Sequence, residues 1–171
     1  MKVEYYLTVS GSPHPDSANS RLLAALAALS PVATKSSFPV DHLPLFQPSL
    51  DQSPLSPSVI EWRRDWELAR AVVISTPAYL DNLPGVLKNA LDWLTTPGVA
   101  QDKPVLALTF CPHAPRGAHA MESLLWSLQA LGTRVVAQLP CYQNEVSFDK
   151  NGDIEAGPER EILTEALRLL P

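Results

Sequence analysis

Three stretches of this chain carry side chains suited to holding a ligand. The first is Gly11-Ser12-Pro13-His14-Pro15-Asp16-Ser17-Ala18-Asn19-Ser20-Arg21, which leads straight into a helical pattern. Small hydroxyl side chains, backbone N–H groups and a helix start together make an anion site. Gly11 permits a tight turn, and Ser12, Ser17 and Asn19 can donate to phosphate oxygens. Neither a Walker loop nor G-x-G-x-x-G is present. Spacing alone equally allows Ser17 or Asn19 to serve as a plain helix cap. The second stretch is Ser75-Thr76-Pro77-Ala78-Tyr79-Leu80-Asp81-Asn82-Leu83-Pro84-Gly85. Here Tyr79 offers a flat face to a planar ring, with neighbouring backbone groups available to its polar edge. A tyrosine packed under an adjacent loop fits the same spacing. The third runs from Thr109 to Gly117 and holds Cys111 and His113. Cys111, His113 and His119 lack acidic support for a metal site. Asp149-Lys150-Asn151-Gly152-Asp153 has calcium-loop composition, but with Gly152 as sixth position the twelfth is Pro158, where a bidentate glutamate is required. It reads as a turn.

These stretches sit between elements that alternate regularly. Tyr5 to Val9 reads as a strand, and Leu22, Leu23, Leu26 and Leu29 then fall at helical spacing. A weak second strand follows at Thr34 to Phe38. Val59 to Leu68 reads as a helix with Ser58 as N-cap. Ala71-Val72-Val73-Ile74 is the continuous apolar run of a strand buried on both faces. Pro84 opens a helix carrying Val86, Leu87, Ala90, Leu91 and Leu94 on one face. Pro104 to Leu108 is a further buried strand, and a helix from about Ala118 to Leu131 follows, with Gly132 at its C′ position. Arg134 to Ala137 is a fifth strand and Glu159 to Leu170 a last helix. This alternation predicts one α/β domain over residues 1–171, a five-stranded parallel sheet of order 2-1-3-4-5 between two helical layers. Ligands of such sheets sit outside the carboxyl ends of the strands, beside strand 1. All three stretches fall at that edge, after strands 1, 3 and 4.

Composition narrows the partners. A net charge of −5 argues against nucleic acid, whose phosphates need a basic face. No apolar run is long enough to span a bilayer, and Met1-Lys2-Val3-Glu4 places an acid where a signal peptide has its apolar core. Two cysteines, Cys111 and Cys141, are too few for a disulfide framework or a zinc site. The expectation is a soluble cytoplasmic protein without a metal. Seventeen prolines outnumber seven glycines, and Pro44, Pro48, Pro54 and Pro57 stiffen one long connection between Asp41 and Ser58.

Taken together, Gly11-Ser12…Ser17-Ala18-Asn19, Leu43-Pro44-Leu45-Phe46, and Thr76-Pro77-Ala78-Tyr79 with Leu83-Pro84-Gly85-Val86-Leu87-Lys88-Asn89-Ala90-Leu91-Asp92-Trp93 resemble the NADPH-dependent FMN reductase family. That family includes flavodoxin-like quinone, chromate and azo reductases. The resemblance implies a flavodoxin-like three-layer sandwich that binds FMN and passes hydride from NAD(P)H to a small oxidant such as a quinone or azo compound. It implies Ser12, His14, Ser17, Asn19 and Ser20 around the FMN phosphate. Pro77, Ala78, Tyr79 and Leu80 would wrap the isoalloxazine ring, with Cys111, His113 and Gly117 in the third loop. No catalytic side chain is required, because the flavin carries the chemistry. The chain departs from the family pattern in all three loops: His14 replaces an arginine, Ala78 and Leu80 replace an acid and an amide, and the glycine- and serine-rich third loop keeps only Gly117, with Cys111 where serine is frequent. The alternative these departures leave is a flavodoxin-fold protein with weakened or lost FMN binding, acting as a non-enzymatic binding module. The resemblance also implies a homodimer or homotetramer joined through the Leu83 to Trp93 helix, whose terminal tryptophan a lone domain would expose.

Overall fold

The computed structural model describes residues 5–52, 54–96 and 98–171. The Met1 to Glu4 reading lies outside them. Five strands, β1 (Tyr6–Ser10), β2 (Thr34–Ser36), β3 (Ala71–Thr76), β4 (Pro104–Cys111) and β5 (Arg134–Tyr142), alternate with five helices. The helices are α1 (Ala18–Leu29), α2 (Pro57–Leu68), α3 (Gly85–Asp92), α4 (Ala118–Ala130) and α5 (Pro158–Arg168). All neighbouring strands are parallel and the order is β2-β1-β3-β4-β5, as the sequence pattern predicts. This is the flavodoxin-like arrangement.

The burial pattern explains the layers. Leu7, Val9, Val72, Ile74, Val105 and Ala107 point to one face and pack with α2, α3 and α4. Tyr6, Val73, Leu106 and Leu108 point to the other, against Leu22, Leu23 and Leu26 of α1 and Leu163 and Leu167 of α5. Strands β3 and β4 are buried along their whole lengths, which is why they read as unbroken apolar runs. Trp62 and Trp66 are both fully buried and meet edge to face at 5.8 Å. Trp126, on α4, is instead 69% exposed.

Two local expectations are corrected. Helix α2 is capped by Ser56 rather than Ser58: Ser56 Oγ accepts the Val59 N–H, and Pro57 takes the first helical position, where its missing donor costs nothing. Trp93 is 1% exposed, so the argument that a lone domain would expose it fails. Its indole donates to the Pro44 carbonyl at 2.8 Å and its ring meets Phe46 edge-on. Asn89 completes the clip, accepting the Phe46 N–H and donating to the Pro44 carbonyl. The Leu43–Phe46 motif is thereby fastened to α3.

The proline-rich connection is equally well anchored. It contains two short 3-10 turns, Val40–His42 and Pro48–Leu50. Arg63 on α2 pairs with Asp51 at 2.6 Å and donates through Nε to the Trp93 carbonyl. Thr96 hydrogen-bonds the same carboxylate. Burial acts to raise the Asp51 pKa, but bonding to Thr96 and Arg63 outweighs it and holds the carboxyl below its ordinary 3.8. Among the described residues, no helix is long and apolar enough to cross a membrane.

Candidate functional site

Strands β1, β3 and β4 lie side by side, and the loops that leave their carboxyl ends meet at one edge of the sheet. Registers Ser10↔Ser75 and Thr76↔Thr109 bring the three loop starts level. Gly11 is required there: a Cβ would stand 2.6 Å from Thr76 Oγ1 and 2.8 Å from Leu87. Loop 1 therefore presses directly against β3 and α3.

Loop 1 is a chain of hydroxyls ending in a helix. Ser17 caps α1 by accepting the Ser20 N–H at 3.0 Å, and its Oγ shares a hydrogen bond with Ser20 Oγ. Ser20 Oγ donates onward to Ser10 Oγ. Ser12 is nearly buried; its Oγ accepts the His14 N–H, which leaves its own proton free to donate outward. The cap satisfies only one of the helix's first donors, and the N–H groups of Ala18 and Asn19 have no acceptor among the described residues. An anion seated there would meet unpaired donors at the positive end of a twelve-residue helix. His14 accepts the Asp16 N–H through Nδ1 at 3.1 Å, so its remaining donor is Nε2.

Asn19 points inward. Its Nδ2 donates to the Phe110 carbonyl and its Oδ1 accepts from Ser75 Oγ at 2.7 Å, at 2% exposure. The side chain thus ties α1 to the ends of β3 and β4, and what Asn19 offers the anion site is its backbone N–H. A groove of about 360 Å³ opens on the β2 side of loop 1, lined by Thr8, Ser10, Ser12, Ser20, Ser36 and His14 among others.

Loop 2 closes on itself. Tyr79 and Asn82 exchange backbone hydrogen bonds at 2.9 and 3.0 Å around Leu80 and Asp81, whose φ angles are +49° and +58°. Two consecutive left-handed residues make the tight turn of the hairpin type. They thrust Leu80 fully into solvent and leave Tyr79 about half exposed. Pro77 and Ala78, just before the turn, are half-buried.

Loop 3 splits by role. Cys111 is 1% exposed and burial raises its thiol pKa, with the facing Ala78 N–H opposing that rise. It is buried rather than lining the surface. Gly117 has φ +96°, and a Cβ there would stand 2.8 Å from Cys111 Sγ. Thr109 Oγ1 lies 3.4 Å from the same point and is buried without a partner. His113 is exposed and its Nδ1 approaches the Ala114 carbonyl. Sequence reasoning missed the pairing of Asp81 on loop 2 with His119 in the first turn of α4. Only the αL-tolerant Asp81-Asn82 pair hinted at the turn that places them.

FMN fits this donor set: an anion cradle on loop 1, a half-exposed aromatic on loop 2, and a close-packed glycine opening α4.

Comparisons with known proteins agree with the geometry. The sequence pattern of NADPH-dependent FMN reductases matches residues 5–143. A 2-hydroxy-1,4-benzoquinone reductase of a Burkholderia species is 32% identical over 162 residues, covering 91% of this chain and 87% of that protein. An NAD(P)H-dependent FMN reductase of Pseudomonas aeruginosa is 32% identical over 92 residues, 53% of this chain and 50% of that one. Among solved structures, the flavoenzyme NAD(P)H:(acceptor) oxidoreductase of Paracoccus denitrificans superposes with a TM-score of 0.86 at 23% identity, covering 98% of this chain and 95% of that one. At that identity the likeness speaks for the fold.

Proposed function

This chain belongs to the NADPH-dependent FMN reductase family, and from that premise we propose that it reduces a small oxidised ring compound, a quinone above all, at the edge where loops 1, 2 and 3 meet. It is an oxidoreductase of the FMN and quinone reductase type, with FMN and NAD(P)H as cofactors. FMN, when bound, supplies two-electron hydride chemistry, and the protein supplies position and electrostatics. The phosphate would be held by the Ala18 and Asn19 N–H groups with the Ser12 hydroxyl, while Ser17, its proton committed to Ser20, shapes the helix start as its cap. His14 adds its Nε2 donor at the rim. Pro77, Ala78, Tyr79 and Leu80 would meet the flavin ring from loop 2. Gly117 and His113 would meet it from loop 3, above the buried Cys111. The benzoquinone-reducing relative favours quinones over azo compounds as the oxidant.

One observation carries this reading: a helix whose first N–H groups are unpaired opens beside two loops that leave adjacent strands. Titration of the FMN-free protein with FMN, followed by NAD(P)H oxidation with and without benzoquinone, tests it. Saturable binding and quinone-dependent turnover are expected; a protein that takes up no FMN overturns it.

We also assign the protein to the cytoplasm and to a homodimer or homotetramer whose contact includes α3 and its surroundings. Trp93 does not support this, but Leu45 and Leu80, 77% and fully exposed, flank that helix. A sedimentation mass of one 18.6 kDa chain at micromolar concentration would contradict self-association.

A further inference from the structure

The two loops on either side of the proposed ring site are joined by a carboxylate. Asp81 is the second residue of the loop 2 turn, and its left-handed backbone aims the side chain across to α4. There it meets His119 Nδ1 in the first turn of the helix and faces the backbone N–H of Gly117. Gly117 opens α4 without a side-chain cap of its own. A helix start leaves unpaired donors and a partial positive charge, and a carboxylate answers both. Asp81 thus stands against the start of α4 from a different loop, 36 residues before Gly117.

We propose that Asp81 is a positioning residue for the flavin ring: paired with His119, its carboxylate holds loop 2 against the start of α4, and His119 makes that hold pH-dependent. The flavin part of this rests on the cofactor reading above. The ionisable groups facing the pair are Glu122, one turn along α4, and Arg116, which faces Asp81 from loop 3. The hydrogen bond to Asp81, then its charge and that of Glu122, raise the His119 pKa above its ordinary 6.5. Bonding to His119 lowers that of Asp81 below 3.8. The sign follows from linkage. A raised histidine contributes its hold fully below 6.5, and the contribution fades as pH rises through the value His119 has in the closed loop. The carboxylate stays ionised throughout that range, so the window is neutral to mildly alkaline.

Two variants separate the parts. Asp81→Asn keeps a residue that tolerates the left-handed turn while removing the charge. His119→Gln keeps an N–H donor that does not titrate. In wild type, the FMN dissociation constant should rise roughly two- to fivefold between about pH 6 and pH 8.5, the scale of an exposed ion pair. In both variants that dependence should be flat. In FMN-free Asp81→Asn protein, the His119 titration seen by NMR should fall back toward the ordinary value and the Gly117 amide should exchange faster. An unmoved His119 titration and unmoved Gly117 exchange overturn the clamp itself. A moved titration with the wild-type pH dependence of FMN affinity retained overturns its role toward flavin. Failure of wild type to bind FMN at any pH overturns the cofactor reading instead, while the amide and titration measurements still decide the clamp.

Discussion

Ser12 and Asn19 stand seven positions apart in one loop and do opposite work, and substitutions should separate them. Ser12→Ala removes an outward hydroxyl and should weaken FMN binding by about 1–3 kcal/mol in a titration, with little change in the melting of the FMN-free protein. Asn19→Ala leaves the Ser75 hydroxyl and the Phe110 carbonyl buried without their partner. It should cost about 1–3 kcal/mol of stability in urea unfolding of the FMN-free protein. Equal effects of both variants on both measurements would refute the division. His14→Arg should tighten FMN binding roughly tenfold, since a guanidinium brings a permanent charge and paired donors where the imidazole has one free N–H. Unchanged affinity would make His14 a bystander. The hydroxyl-rich loop was legible in the sequence because glycine, serine and a following helix have few other uses together. Which way Asn19 turns was not, because its partners arrive from β3 and β4, 56 and 91 residues away.

Elements meet at glycines and at straps. Gly117→Ala should destabilise the protein by about 1–3 kcal/mol, because φ +96° strains any side chain and the Cβ runs into Cys111 Sγ. Urea unfolding measures it, and a loss within error would show that loop 3 shifts freely. The strap formed by Asp51, Arg63 and Thr96 has a pH signature. A carboxyl depressed in the folded state adds stability above its ordinary 3.8, and that contribution fades as pH falls through the lower folded value. Stability should therefore decline below about pH 4, and Asp51→Asn should remove part of that decline. An identical acid limb in variant and wild type would acquit the strap. The strand and helix pattern could be read from the chain because buried parallel strands and amphipathic helices differ in period. Strand β5 runs on to Tyr142, past the expected Ala137, because residues of this edge strand alternate irregularly in burial and leave no clean signal. The burial of Trp93 was invisible for a related reason: its acceptor, Pro44, precedes it by 49 residues.

At the scale of the whole molecule, the two helical layers are unequal in kind. The α2–α3–α4 layer holds all the tryptophans, while the α1–α5 layer packs aliphatic side chains against the sheet. Three indoles, Trp62, Trp66 and Trp93, are sealed at 1% exposure or less, and Trp126 stands in solvent on α4. The protein therefore carries a built-in optical ruler. Its emission should divide into a blue component that iodide cannot reach and a red component that iodide quenches. Trp126→Phe should abolish the quenchable fraction and leave the blue one intact. The blue component then reports cooperative unfolding of one layer, while the red reports events on the surface of the helix that Gly117 opens.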